Sequence, residues 1–113
     1  MTVARINYVE LPAADIGAAT QFYTAAFGWN LTAFGPSYAA TMTGDVDLGL
    51  QGDPAEAVAA PLAVIDVDDL AKALDDVVKA GGTIVRPVFA FPGGRRFHFR
   101  DPNGNELAVV QAG

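Results

Sequence analysis

Arg96 and His98 are the residues of this chain whose types and spacing best suit chemistry at a small anionic molecule. They lie two apart in the run Arg95-Arg96-Phe97-His98-Phe99-Arg100. In an extended strand they share a face with Arg100, while Phe97 and Phe99 take the other. Burying the two phenylalanines would fix the polar side chains opposite. A guanidinium held there can grip a carboxylate or phosphate through two parallel hydrogen bonds. Imidazole, with a carboxylate nearby, can move a proton near neutral pH. The alternative role is structural: an Arg96–Glu ion pair between strands and a His98 satisfied by hydrogen bonds. His98 is the only histidine of the chain. Four of the seven basic residues, Arg86, Arg95, Arg96 and Arg100, crowd into residues 86–100, which contain no Asp or Glu. An acidic protein that gathers positive charge in one place is suited to holding a small anion there; a solvated hairpin is the other reading.

The elements that must position these residues come in two similar sets. Asp15 opens one amphipathic stretch that closes near Phe27-Gly28, and Asp69 opens another that closes at Gly81-Gly82. Residues 5–11 alternate as a strand, with Ile6, Tyr8 and Glu10 on one face and Asn7, Val9 and Leu11 on the other. A helix then runs from an Asp15 N-cap to about Phe27, with Ile16, Ala19, Tyr23, Ala26 and Phe27 on one stripe. Short strands are predicted at 29–34, 37–43 and 46–51. The second set repeats the plan: strand 62–67, helix 69–80 with Leu70, Ala73, Leu74 and Val77 inward, and strands 83–88, 95–100 and 105–111. Asp101-Pro102-Asn103-Gly104 is a turn by its chemistry. Gly93-Gly94 lacks the helix and the Lys-Ser/Thr of a phosphate loop and is read as a hairpin turn.

The fold expected is therefore α+β: two tandem βαβββ modules, about 5–51 and 62–111 with a connector at 52–61, making a single domain over 1–113. A module cannot bury both faces of its own sheet. Two side by side are expected to form a curved mixed sheet, a cup, with helices on the convex side.

Composition narrows the function. The net charge is −6 at pH 7, which argues against nucleic acid and anionic membrane as partners. The absence of Cys removes disulfides, thiolate ligands and a cysteine nucleophile. No apolar run approaches the roughly 20 residues of a membrane span. Residues 1–5 read as a direct lead into the first strand, and a cytoplasmic location is expected.

The run Phe97-His98-Phe99-Arg100-Asp101-Pro102-Asn103-Gly104-Asn105-Glu106-Leu107 resembles the final hairpin of the vicinal oxygen chelate superfamily, which includes glyoxalase I, extradiol dioxygenases and bleomycin-resistance proteins. Asp15, Phe22-Tyr23 and Phe27-Gly28-Trp29 match its first helix and turn. In that superfamily a divalent metal is usually held by a first-strand His and a last-strand Glu of each module. The resemblance places those positions on Tyr8, Leu62 and Ala108, with the fourth within 47–51, where Asp47 and Gln51 are the side chains able to ligate. The usual metal site is thus expected to be absent, with no cofactor. Glu106 lies two residues before Ala108 and is not that ligand.

The same resemblance turns Tyr8, Glu10, Leu62, Val64, Arg96, His98, Glu106, Ala108 and Val110 into the cup. Tyr8, Arg96 and His98 are then the substrate-binding candidates, and His98, Glu10 and Glu106 the acid–base candidates; Tyr8 could equally be a wall. Trp29 and Tyr38 are either ligand-stacking aromatics or part of a core or dimer contact. Three functions stay open: a metal-free small-molecule-binding protein for an anionic or polar organic ligand; a metal-free isomerase or lyase; and a metal-dependent lyase or dioxygenase with unusual ligands. A homodimer is expected because the sheet edges are open.

Overall fold

The computed structural model describes residues 4–113, so the lead-in reading of residues 1–3 lies outside the described residues. The elements run β1 (Arg5–Pro12), α1 (Ile16–Phe27), β2 (Leu31–Ala33), β3 (Tyr38–Thr41), β4 (Asp47–Gln51), β5 (Leu62–Asp66), α2 (Leu70–Lys79), β6 (Thr83–Phe91), β7 (Gly94–Arg100) and β8 (Glu106–Ala112). The fold is α+β, with the βαβββ order occurring twice as the sequence predicts. Two compact units form among the described residues: one is Tyr8–Leu62, the other Ala63–Gly113 together with residues 4–7.

In the first unit the strands pair in the order β2-β3-β4-β1. The β2–β3 and β3–β4 ladders are antiparallel, and β4 runs parallel to β1. Parallel pairing demands a crossover, which α1 supplies. Asp15 caps α1 by accepting from the Ala18 N–H at 3.0 Å, and Gly28, at φ 69°, gives the left-handed turn that ends it. The helix differs from its sequence reading in one respect. None of its residues is buried, and Ala26 and Phe27, predicted on the inward stripe, are exposed. The helix does turn Ile16, Ala19 and Tyr23 partly inward. Phe27 instead joins Tyr23 and Trp29 in an aromatic cluster with ring centroids 5.3 to 6.4 Å apart. No Asp, Glu, Lys, Arg or His occurs between Asp15 and Asp45, and Phe22, Phe27, Trp29, Phe34 and Met42 in that stretch are all exposed.

In the second unit the order is β5-β8-β7-β6, with β5 parallel to β8 and the other pairs antiparallel. Here the helix is anchored. Val67, Leu70, Phe97 and Val109 are buried, with Ile65, Ala73, Leu74, Val77, Ile84 and Phe99 packed around them. The predicted stripe of α2 and the Phe97/Phe99 face of β7 are thus one core. Asp69 caps α2 through the Lys72 N–H at 3.0 Å, and the Gln111 side chain of β8 accepts from the Leu70 N–H at 2.8 Å. Four buried aliphatic and aromatic side chains of this kind each contribute about 1.5–3 kcal/mol relative to exposure.

The strand β6 includes Pro87, as its predicted range 83–88 does, and departs from that range by continuing to Phe91. Proline is tolerated there because β6 is hydrogen-bonded on one side only, at the end of the ladder order. Its register against β7 shifts twice, between Ile84 and Arg86 and between Arg86 and Phe89.

Candidate functional site

The core-facing phenylalanines of β7 fix Arg96 and His98 on the opposite face, and both are buried, at 8% and 1% exposure. The His98 Nδ1 lies 2.8 Å from Glu106 Oε2. Arg100, on the same face but at the strand end, is exposed and lies 3.9 Å from the other Glu106 oxygen. The structure therefore joins three of the predicted residues, Arg96, His98 and Glu106, on one face of one unit.

Two residues not proposed from alternation join them. Arg86 pairs with His98 and Phe89 with Arg96 across the β6–β7 ladder, and cross-strand partners share a face. Arg86 and Phe89 are three apart, an odd spacing that a regular strand would send to opposite faces. The bulge between them adds one residue to β6 and restores both to the His98 side. The Arg86 guanidinium stacks on the Phe89 ring at 3.6 Å. Arg96 lies 5.3 Å from that ring and 5.4 Å from Phe91, and the His98 ring is 5.9 Å from Phe89.

Electrostatics set the state of His98. Burial first, and then the Arg96 and Arg86 charges, lower its pKa, against the raising effect of the Glu106 hydrogen bond and charge. Burial prevails, so the imidazole is neutral at pH 7. A neutral ring has one N–H, and the Glu106 carboxylate accepts it at Nδ1. The Nε2 is left as an acceptor, buried and without a hydrogen-bond partner among the described residues. Such an orphaned group costs about 1–3 kcal/mol.

The first unit holds the other predicted pair. Glu10 is 4% exposed and accepts from the Tyr38 hydroxyl at 3.1 Å; the Tyr8 and Tyr38 hydroxyls are 2.5 Å apart. Burial, followed by the Glu10 charge, pushes the Tyr38 pKa well above the tyrosine range. Its one proton goes to Glu10, so Tyr8 donates to Tyr38. The β1–β4 register sets Glu10 against Gly49, and a Cβ there would overlap both tyrosine hydroxyls. Tyr38, read from sequence as a stacking or contact aromatic, acts through its hydroxyl.

The positions that the family resemblance assigns to a metal do not suit one. Leu62 and Ala108 are fully buried aliphatic side chains without donor atoms. In the 47–51 segment, Gly49 has no side chain. Asp47 is occupied by the Thr41 and Thr43 hydroxyls and by the Thr43 and Gly44 N–H groups at 2.7–3.0 Å. Those bonds outweigh partial burial and lower the Asp47 pKa to about 2. Gln51 accepts from the Asp53 N–H at 3.0 Å. Among the described residues no group of three His, Cys, Asp or Glu is placed to hold a metal ion.

Residues 5–109 match the family model of the glyoxalase/bleomycin resistance protein/dioxygenase superfamily. The chain belongs to that superfamily. It is 32% identical over 117 residues to "Putative glyoxylase CFP32" of Mycobacterium bovis and Mycobacterium tuberculosis, a match that takes in 94% of this chain and 45% of the relative. The chain thus spans just under half the length of those relatives. Among solved structures it resembles methylmalonyl-CoA epimerase from Mycobacterium tuberculosis, with TM-score 0.74 and 16% identity over 96% of this chain and 87% of that one. It also resembles a superfamily member from Vibrio splendidus, with TM-score 0.70 and 19% identity over 97% and 99%. These two likenesses establish the fold. No helix among the described residues is long and apolar enough to cross a membrane.

Proposed function

We propose that this superfamily member is a small-molecule-binding domain that works without the usual chelated metal and takes a small anionic or polar organic ligand. One observation carries the reading: the buried imidazole of His98, held at Nδ1 by Glu106, offers Nε2 with no partner beside Arg96 and Arg86. The cations recognise the anionic group, and Phe89 and Phe91 supply an apolar wall. The donor-free Leu62 and Ala108, and the prior engagement of Asp47 and Gln51, support the metal-free form. The ligand is expected to be a small organic molecule and not nucleic acid or membrane, given the net charge of −6. The location is cytoplasmic and the working state a homodimer, favoured by the one-sided edge strands β2 and β6.

The same dyad favours a second reading, a metal-free isomerase or lyase. Glu106 fixes the tautomer that makes Nε2 a base and would stabilise the imidazolium formed on proton uptake.

Arg96→Leu separates ligand binding from structure. It removes a buried charge and keeps an apolar side chain of similar bulk, so any loss of melting temperature reads the structural role of Arg96 and any loss of ligand-induced shift reads its binding role. Affinity for small carboxylates, read by calorimetry, should fall by about 2–5 kcal/mol. A lowered melting temperature with unchanged ligand-induced shifts would retire the reading. One equivalent of transition metal per chain, lost on mutating Tyr8 or Glu106, would retire the metal-free part.

A further inference from the structure

We infer that the ligand of the β6–β7 hairpin carries a hydroxyl next to its anionic group: a small hydroxycarboxylate, in preference to the oxo acid or the plain carboxylate of the same skeleton. The inference rests on the anion-binding reading above and specifies its substrate class.

Hydrogen-bond direction makes the distinction. Glu106 Oε2, 2.8 Å from His98 Nδ1, accepts the single N–H of the neutral ring, and the lowered pKa of His98 agrees with that neutrality. Nε2 then has a lone pair and no proton. His98 is 1% exposed, and no described residue donates to Nε2. A ligand hydroxyl satisfies such an atom. A ligand carbonyl would set lone pair against lone pair, and a methylene would leave the acceptor unsatisfied.

Strand geometry places the two recognition elements within reach of one small molecule. Arg96 and His98 are alternate residues on the same face, about 7 Å apart along the strand, and long side chains shorten that span. Arg86 opposes His98 and Phe89 opposes Arg96, so cationic groups lie on both strands of the hairpin around an aromatic ring. A carboxylate at the guanidinium and a hydroxyl on the adjoining carbon fit this spacing.

The test uses the matched acids lactate, pyruvate and propionate, titrated calorimetrically into the full chain while the His98 ring is followed by nitrogen-15 NMR. Lactate should bind at least about tenfold more tightly than the other two, as expected when a buried polar group of the site is matched or left unpaired. The Nε2 resonance should begin as an unprotonated nitrogen and shift with lactate. In Glu106→Leu, where Nδ1 loses its fixed acceptor and the proton is free to move to Nε2, the preference for lactate over pyruvate should collapse or reverse while propionate binding persists. Equal binding of the three acids would overturn the inference and leave the anion reading standing, as would an Nε2 that is protonated in the free protein or unmoved by lactate. Binding of none of them, with Arg96→Leu behaving as wild type, would remove both.

Discussion

His98 and Glu106 meet on a diagonal. The β7–β8 register sets His98 opposite Ala108 and Arg100 opposite Glu106, yet Glu106 reaches back to His98 Nδ1 at 2.8 Å and lies 3.9 Å from Arg100. The absence of a side chain beyond Cβ at Ala108 leaves that diagonal open. A carboxylate two residues from the superfamily's ligand position thereby serves an imidazole on the neighbouring strand.

The pH dependence of stability should carry the signature of this pair. The folded pKa of His98 is lowered, so above the unfolded value of about 6.5 both states are neutral there and His98 adds no pH dependence. As pH falls below that value the unfolded chain takes up a proton that the folded chain does not, and stability declines until the folded pKa is passed. Glu106→Gln removes a raising contribution and should lower the His98 pKa further, extending the decline to more acidic pH. NMR titration of the single histidine, with thermal melts from pH 8 downward, checks both. A His98 that titrates above 6.5 in the wild type would contradict the account.

Gly49 should tolerate no side chain while both tyrosine hydroxyls are present. A Cβ at this position would overlap Tyr8 and Tyr38, so Gly49→Ala must displace one or both rings. The expected loss is about 1–3 kcal/mol, typical of overpacking. Adding Tyr8→Phe and Tyr38→Phe should recover part of it, and the recovery should appear as a coupling energy in the mutant cycle measured by denaturant unfolding. Independent, additive effects would mean that the close approach does not govern this site.

What was legible in the sequence follows from the range over which each feature is encoded. The alternation of Arg96, His98 and Arg100 with Phe97 and Phe99 is local, and the structure keeps it, with Phe97 in the core and His98 opposite. The stripe of α2 is equally local. The basic cluster at 86–100 includes Arg86, but its place opposite His98, and the part played by Phe89, are not legible locally, because two bulges in β6 break the period of two. The Tyr38–Glu10 contact depends on the β1–β4–β3 registers, which bring residues 28 apart in sequence together and which no short motif sets. Helical spacing sets Phe27 on the inward stripe, since aromatic residues at that spacing suit a core. Whether such a stripe is covered depends on what packs against it, and α1 buries none of its residues.

The exposed aromatics at the end of α1 and just beyond it, Phe27 and Trp29, should govern the proposed homodimer. Two copies of a chain with net charge −6 repel at most faces, but not at the stretch between Asp15 and Asp45, which has no charged residue. Phe27, 62% exposed, can be replaced without opening a cavity. Phe27→Asp should leave the melting profile nearly unchanged and shift sedimentation toward the monomer mass of 11.7 kDa. A wild type that sediments only as monomer at micromolar concentration would contradict the dimer, and a Phe27→Asp protein that stays dimeric would move the interface elsewhere.

Asp47 should behave as a structural carboxylate and not as a ligand. Its bonds from Thr41, Thr43 and Gly44 organise the turn between β3 and β4. Asp47→Ala should therefore destabilise the chain by about 1–2 kcal/mol, within the range for losing a side-chain cap of backbone N–H groups. The sign of the pH effect is opposite to that of His98 in origin though not in direction. Because the folded pKa, about 2, is below the ordinary 3.8, the stabilisation is fully present above the unfolded value and is lost as pH falls through the folded one. The group is only partly buried, so solvent screening reduces the effect. Asp47→Asn, which keeps an acceptor oxygen but removes the charge, should lose less than Asp47→Ala and should flatten the stability profile between pH 4 and about 2. Denaturant unfolding across that range, together with ligand titration of both variants, decides the matter: unchanged stability with weakened ligand binding would assign Asp47 to the site instead of to the turn.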